Sequence, residues 1–278
     1  MRRRHSSIEL KTPAEIGKMR AAGLVVAEGL GAMATAAVAG TSTYDLDQLA
    51  RSVLDAHGAT SNFLGYHGSL YYPGVICASV NDEIVHGIPT RDRVLADGDL
   101  ISIDFGAILD GWNGDAAVTV SVGSVSEAAR DLSAACEKSL WDGLAAAQLN
   151  GRLTDISHAV ETSVRESGSY GIVENYGGHG IGTAMHMDPH ILNYGRPGRG
   201  PVLVEGMALA VEPMITIGSP EASELEDQWT VVTTDGSLAA HWEHTVALLA
   251  DGPWVLTAPD GGRAELGARG VKLSSMAD

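Results

Sequence analysis

The fold is decided by residues 100–122, which read LISIDFGAILDGWNGDAAVTVSV. Two apolar, partly β-branched runs, 100–103 and 116–122, flank a segment rich in Gly, Asp and Asn. This pattern predicts two antiparallel strands joined by a tight turn. Asp104 and Asp115 stand at the turn-side ends of the two apolar runs. We therefore expect the two carboxylates to lie near each other at one end of the ladder.

These carboxylates have no basic partner nearby in the sequence. No Lys or Arg occurs between Arg93 and Arg130, and none occurs in residues 200–262, where Glu212 and Glu243 lie in similar apolar runs. Like charges in apolar surroundings repel one another and lose hydration. Two divalent cations supply the missing positive charge and accept oxygen ligands readily. The sequence thus predicts a carboxylate-bridged two-metal centre, of the kind that holds an attacking water.

Composition restricts the class of protein. The chain has 278 residues, of which 45% are hydrophobic and 19% charged, and this balance is typical of a globular protein. A formal net charge of −17 argues against DNA binding. Cys77 and Cys136 form no CxxC pair, which fits a reducing cytoplasm. The apolar segment 21–40 is interrupted by Glu28 and follows several charged residues, so we expect neither a signal peptide nor a membrane anchor.

Two similar halves are predicted along the chain. Residues 12–123 contain a long helix, a short helix and antiparallel strands, and residues 124–258 repeat this order. The first helix opens with a Thr12–Glu15 capping box, and the second is expected from about Tyr44, with Thr43 as its N-cap. We therefore predict an α+β fold with one pseudo-symmetric domain, residues 12–258. The remaining segments, residues 1–11 and 259–278, are both expected to be loose tails.

Three histidines are candidates for chemistry. His179 lies in the glycine-rich NYGGHGIG, which suits backbone packed closely around a crowded site. A phosphate loop is disfavoured, because Asp188-Pro189 leaves no room for the helix that should follow. Beside four unneutralised carboxylates, an imidazole is the expected nitrogen ligand. On spacing alone, His86 and His186 could each be an ordinary loop histidine.

Six segments taken together resemble, in order, the signature segments of the type I methionine aminopeptidases. They are VHGIP (85–89), SIDFG (102–106), GWNGDAA (111–117), GGHGIG (177–182), AVEPM (210–214) and WEHTV (242–246). The resemblance spans roughly residues 10–250 and points to the short bacterial form of the family. It implies the pita-bread fold, in which two pseudo-symmetric halves of helices pack on a curved antiparallel sheet. It also implies a monomer.

The resemblance implies a role for each candidate ligand. Asp104 is expected to bind one metal, Asp115 and Glu243 to bridge both, and His179 and Glu212 to complete the second. The two ions are expected to be Co, Mn, Fe or Zn.

Substrate contacts are implied in the same way. His86 is expected to hydrogen-bond the scissile amide nitrogen, His186 to bind the oxygen of the tetrahedral intermediate, and Glu212 to move a proton. A methionine pocket is implied at Phe63, Tyr66, Tyr72, Cys77, Met185 and Trp229, although each could simply be a core residue. Residues 65–74 read GYHGSLYYPG, about three residues longer than is usual in the family, so Tyr71 and Tyr72 both remain candidates for one pocket position.

The expected activity is metal-dependent removal of methionine from the N-termini of nascent polypeptides, preferably when the second residue is small. The ribosome near its exit tunnel is a further candidate partner. One alternative is a prolidase or Xaa-Pro aminopeptidase of the same fold. Another is a non-catalytic pita-bread protein that binds RNA or protein partners, although such proteins tend to lose ligands and to carry basic patches.

Overall fold

Along the chain, a pair of helices is followed by a set of strands, and this order then occurs a second time, as the sequence predicts. The computed structural model describes residues 8–68 and 70–277. Thr12 caps the first helix through the predicted capping box with Glu15. The second helix starts one residue before the predicted position, because Ser42 and not Thr43 is its N-cap, in a reciprocal capping box with Asp45. The helices are α1 (Pro13–Ala36), α2 (Thr43–His57), α3 (Glu127–Ala146), α4 (Leu153–Ser167) and α5 (Arg263–Ala268), followed by a 3-10 helix at Ser275–Ala277.

The strands of the described residues form small antiparallel sheets. In chain order they are β1 (Ile76–Val80), β2 (Glu83–Val85), β3 (Leu100–Leu109), β4 (Trp112–Ser121), β5 (Gly171–Ile172), β6 (Gly178–Gly180), β7 (Met187–Ile191), β8 (Ala208–Val211), β9 (Met214–Thr216), β10 (Ala222–Glu224), β11 (Val231–Thr233), β12 (Ala239–His241), β13 (His244–Leu249) and β14 (Gly252–Val255). Their orders within sheets are β1-β3-β4, β10-β11-β2, β12-β9-β5 and β14-β13-β8-β6-β7.

The β3–β4 pair is the predicted hairpin. It pairs from Leu100 opposite Ser121 to Leu109 opposite Trp112. Asp110 and Gly111 form the two-residue turn, and both have positive φ, of 50° and 80°. That conformation suits the right-handed twist of a hairpin and favours Asp-Gly.

Each half has its own apolar core. In the first half α1 packs on β3 and β4, where Gly29 allows the ring of Phe105 to approach so closely that a Cβ at Gly29 would lie 2.4 Å from it. In the second half α3 and α4 pack on each other and cover strands that include β8 and β12. Leu140, Val160 and Leu209 are completely buried there. The duplicated order predicted from sequence thus corresponds to two helix-on-sheet layers.

The segments outside the two halves are partly packed. Residues 259–277 differ from the expected loose tail: Leu266 of α5 is completely buried in the core of the second half. Arg20 of α1 donates to the carbonyl of Ala258 at 2.6 Å and to that of Pro259 at 2.8 Å, which fixes the start of this segment. Of the expected N-terminal tail, residues 1–7 lie outside the described residues, and Lys11 differs from a loose tail: it is 6% exposed, and its backbone N–H donates to the Gly206 carbonyl at 2.8 Å. No helix in the described part of the chain combines the length and apolar character that a membrane crossing requires.

Candidate metal centre and substrate pocket

Strand register brings three of the predicted carboxylates together. Asp104 on β3 lies opposite Ala117 on β4, and Ala117 forms an antiparallel bridge with Glu243 from the other half. Asp115 lies two residues before Ala117, so it faces the same side of the sheet as Asp104. On the outer side, Asp104 pairs with Cys77 of β1. The two halves therefore meet along a row of neighbouring strands that carries these acids.

Glu212 and His179 are brought to the same place by β6, β8 and β9. Glu212 follows β8, and its carbonyl accepts a hydrogen bond from Asn193 Nδ2 at 2.9 Å. His179 pairs with Ala210 of β8, and its Nε2 lies 3.5 Å from Glu212 Oε1. A Cβ at Gly178 would meet the carbonyl oxygen of Ala210 at 2.2 Å. The close backbone approach that the glycine-rich run predicts therefore exists.

Burial of these acids makes their ionisation costly. Desolvation raises the pKa of Asp104 and that of Glu212 to about 8, with a smaller contribution at Glu212 from the neighbouring Asp104 carboxylate. The same causes raise the pKa values of Asp115 and Glu243 well above their usual range. Among the described residues, no Lys or Arg forms an ion pair with any of the four. The absence of fixed positive charge that the sequence predicts therefore holds in three dimensions.

The donor set fits divalent cations. Within the described residues, Asp104, Asp115 and Glu243 each have a buried carboxylate oxygen without a hydrogen-bond partner. Ligand atoms of Asp115, His179 and Glu243 all lie within 4.8 Å of one another. His179 donates Nδ1–H to the Gly180 carbonyl at 3.0 Å, and burial lowers the pKa of its ring to about 3. The neutral ring thus turns the lone pair of Nε2 toward the acids, as metal-binding histidines do.

His86 and His186 lie beside this centre. His86 follows β2 in the left-handed region, with φ of 60°, and its ring packs edge-on against Tyr176 and Trp229. The ring of His186 lies 4.4 Å from that of His179, and its Nδ1 lies 2.6 Å from the Tyr66 hydroxyl. Burial lowers the pKa of His86 to about 4 and also lowers that of His186. Both rings are therefore neutral, with one donor and one acceptor nitrogen each.

All the predicted site residues line a single pocket. Its apolar wall is a cluster of Phe63, Tyr72, Cys77 and Met185, with Trp229 packed against it. The full set of predicted residues in the lining is Phe63, Tyr66, Tyr72, Cys77, His86, Asp104, Asp115, His179, Met185, His186, Glu212, Trp229 and Glu243.

The longer segment at residues 65–74 leaves Tyr72 in the pocket. Tyr72 is 3% exposed, and its hydroxyl lies 2.9 Å from the carbonyl oxygen of Ile76 and 3.0 Å from that of Gly87. Tyr71 is 68% exposed, and its ring packs edge-on against that of His67. Ser69 lies outside the described residues.

Sequence reasoning missed two lining residues, Val85 and His241. Val85 ends β2 directly before His86. His241 lies two residues before Glu243, in the same apolar run. Residues two apart in extended chain face the same side, so this spacing is the signal that could have found His241.

Known proteins match most of this chain. The model of metallopeptidase family M24 matches residues 17–249. Methionine aminopeptidase 1 of Mycobacterium tuberculosis is 55% identical over 252 residues, covering 89% of this chain and 94% of that protein. The crystal structure of methionine aminopeptidase from Thermotoga maritima superposes with a TM-score of 0.87 at 39% identity, covering 90% of this chain and 99% of that one.

A prolidase matches less well. The enzyme from Pyrococcus furiosus has a TM-score of 0.71 at 22% identity, and the match covers 90% of this chain but 65% of that one, so the likeness shows a shared fold only. The pita-bread fold expected from the sequence is confirmed, and the prolidase alternative is not favoured. The chain therefore belongs to metallopeptidase family M24, and within that family to the methionine aminopeptidases.

Proposed function

We propose that this protein removes the N-terminal methionine from nascent polypeptides and peptides whose second residue is small. The observation that carries the proposal is the convergence of four carboxylates, two of them buried and two partly buried, and of His179 on one pocket with an apolar wall. The same pocket brings together a site for cations and a slot for an uncharged side chain. An exopeptidase that acts on methionine needs both.

The proposed cofactor is a pair of divalent cations. Asp104, Asp115, His179, Glu212 and Glu243 would hold them. Carboxylates with one imidazole suit Mn, Fe, Co or Zn. When bound, the pair supplies Lewis acidity toward water and toward the scissile carbonyl.

The chain's own side chains handle the proton and the substrate. Glu212 accepts a proton from the attacking water at a carboxylate oxygen and passes it to the leaving amine. His86 accepts a hydrogen bond from the scissile amide N–H. His186, with Nδ1 engaged by the Tyr66 hydroxyl, donates Nε2–H to the carbonyl oxygen as negative charge develops on it.

The apolar wall selects the side chain. Phe63, Tyr72, Cys77, Met185 and Trp229 surround a slot suited to an unbranched thioether. Cys77 contributes a neutral thiol, because burial and the neighbouring Asp104 raise its pKa. It is therefore a wall residue and not a nucleophile.

We also propose the domain extent, the oligomeric state and the cellular location of this enzyme. Residues 12–258, with residues 259–277 packed against their second half, act as the single catalytic domain of a monomeric cytoplasmic enzyme. Its substrates are polypeptide N-termini, which it encounters near the ribosomal exit tunnel.

Peptide hydrolysis tests the proposal. Met-Ala-Ser and an Ala-Pro peptide are incubated with the protein as purified, after chelation, and after chelation followed by Mn²⁺ or Co²⁺. We expect free methionine from Met-Ala-Ser only, loss of release after chelation, and recovery with metal. The matched control is Asp115→Asn, checked for native secondary structure, which should stay inactive when metal is restored. Cleavage of the Ala-Pro peptide instead, or full activity after chelation, would overturn the proposal.

A further inference from the structure

His241 is a buried histidine in the pocket that the proposed ligand set does not use. It ends β12 and is 2% exposed. The Thr119 hydroxyl lies 3.0 Å from its backbone nitrogen and donates to its carbonyl at 2.7 Å. Ser102 Oγ is a second acceptor for the His241 N–H, at 3.2 Å. Because Ser102 and Thr119 belong to β3 and β4, the opposite half of the molecule fixes the backbone that carries this ring.

The ring of His241 points between two acids. Its Nε2 lies 3.9 Å from Glu212 Oε2 and 4.0 Å from Glu243 Oε2, and among the described residues it has no hydrogen-bond partner. A buried N–H donor without an acceptor lowers the stability of the folded state by about 1–3 kcal/mol. Because the ring nitrogen lies almost equally far from two carboxylates, these are the acceptors that could remove this cost. The distances exceed hydrogen-bond range, but an approach of about 1 Å by either carboxylate would bring it into range.

We propose that His241 is a positioning residue whose Nε2–H donates to the carboxylates of Glu212 and Glu243 and fixes the orientation in which they bind cations. The inference rests on the proposed function, since the cations are part of that proposal. It gives the two buried histidines opposite tasks. His179 donates its Nδ1–H to the Gly180 carbonyl and presents the lone pair of Nε2 to a cation, whereas His241 presents an N–H to the carboxylates.

Donation is a better assignment for His241 than ligation. Five other residues already supply the proposed ligand set, and Nε2 of His241 faces carboxylate oxygens of two of them, Glu212 and Glu243. An oriented outer partner of a ligating carboxylate changes metal affinity by about 10–100-fold when removed. That magnitude makes the role measurable without an activity assay.

Three substitutions separate donation from space filling. In His241→Gln the amide nitrogen reaches about as far as Nε2 and can donate, whereas in His241→Asn it reaches only as far as Nδ1. His241→Leu fills the volume and cannot donate. His158→Leu, at an exposed position on α4, is the control for loss of a histidine far from the pocket.

The readouts are the affinity of the chelated, full-length protein for Mn²⁺, by titration calorimetry, and the visible spectrum of the cobalt-loaded protein. We expect His241→Leu and His241→Asn to weaken Mn²⁺ binding by about 10-fold or more and to change the cobalt spectrum. His241→Gln should recover most of the loss, and His158→Leu should match the unsubstituted protein. For His241→Leu and His241→Asn, kcat for Met-Ala-Ser should fall with little change in KM.

Equal Mn²⁺ affinity and cobalt spectra across all three His241 variants would overturn the inference and leave the proposed function standing. If His241→Leu fails to fold, the Gln and Asn pair still decides, because equal behaviour of those two excludes a donor at Nε2. Failure of the proposed function has a different signature, in which the unsubstituted protein binds no Mn²⁺ or releases no methionine.

Discussion

Ala117 and Glu243 exchange two backbone hydrogen bonds across the boundary between the halves. The N–H of Glu243 donates to the Ala117 carbonyl at 2.9 Å, and the N–H of Ala117 donates to the Glu243 carbonyl at 3.2 Å. Asp104 flanks Ala117 on the other side, in the β3–β4 ladder. The candidate metal centre is therefore built on the seam between two sheets, and it assembles only when the halves pack together.

Thr119 reinforces this seam, and its hydroxyl can be removed without a large change in volume. Thr119→Val leaves the His241 carbonyl without its partner, so we expect the free energy of unfolding to fall by about 1–3 kcal/mol. Urea denaturation of the metal-loaded protein measures the change. Thr35→Val, at an exposed position on α1, is the control and should stay within about 0.5 kcal/mol. Equal free energies of unfolding for the two variants would show that the Thr119 hydroxyl does not stabilise the boundary between the halves.

Two glycines should respond to alanine in opposite directions. Gly178→Ala places a Cβ 2.2 Å from the Ala210 carbonyl oxygen, so β6 must move away from β8, and we expect a loss of about 1–3 kcal/mol or more together with weaker metal binding. Gly17→Ala, in α1, meets nothing within 4 Å and should stabilise the protein by about 0.5–1 kcal/mol. Thermal unfolding measures both. A tolerated Gly178→Ala would contradict the close packing around His179.

The metal-free protein should lose stability as the pH rises from about 6.5 to 8. Burial raises the pKa of Asp104 and Glu212 to about 8, so the folded state holds protons that the unfolded chain releases. Buried His86, His179 and His241, with pKa values of about 4, 3 and 3, act in the opposite direction, but only below their usual 6.5.

Chelated samples followed by thermal unfolding at pH 6.5, 7.25 and 8 measure this effect, with saturating Mn²⁺ as the matched comparison. We expect the melting temperature of the chelated protein to fall with pH and that of the Mn²⁺-loaded protein to change less. A chelated protein that gains stability over this pH interval would show that the carboxylates are either exposed to solvent or paired with a positive charge.

Tyr66 should matter to turnover through His186. Tyr66→Phe removes the hydroxyl that lies 2.6 Å from His186 Nδ1, so the imidazole loses its fixed orientation. We expect kcat for Met-Ala-Ser to fall by about 2–10-fold, the equivalent of one hydrogen bond. Steady-state kinetics measure the change. Tyr71→Phe, at a 68% exposed position, is the control and should behave as the unsubstituted protein. An unchanged kcat for Tyr66→Phe would mean that His186 is oriented by other contacts.

Local pattern was sufficient to predict the hairpin and the position of its acids. Alternation along paired strands fixes which side chains share a face, so Asp104 and Asp115 could be placed together from residues 100–122 alone. The missing basic residues then pointed to cations, because charge balance is a property of composition as well as of structure.

Features that depend on long-range packing were not predictable in this way. The spacing from Glu243 indicates the side that His241 faces, but its backbone contacts with Ser102 and Thr119 join residues that are far apart in sequence. Residues 259–277 lack a strong pattern, and their order comes from Leu266 and from Arg20 of α1. The choice between Tyr71 and Tyr72 depended on how a longer segment folds over the pocket, which spacing alone does not encode.

Anomalous X-ray diffraction from crystals of the Mn²⁺-loaded protein shows directly whether the pocket holds two cations. We expect two anomalous peaks about 3.5–4 Å apart, with Asp115 and Glu243 between them and Asp104, His179 and Glu212 completing the two sites. Absence of peaks from this pocket, or full occupancy by a single ion that leaves Asp104 or His179 uncoordinated, would contradict this expectation.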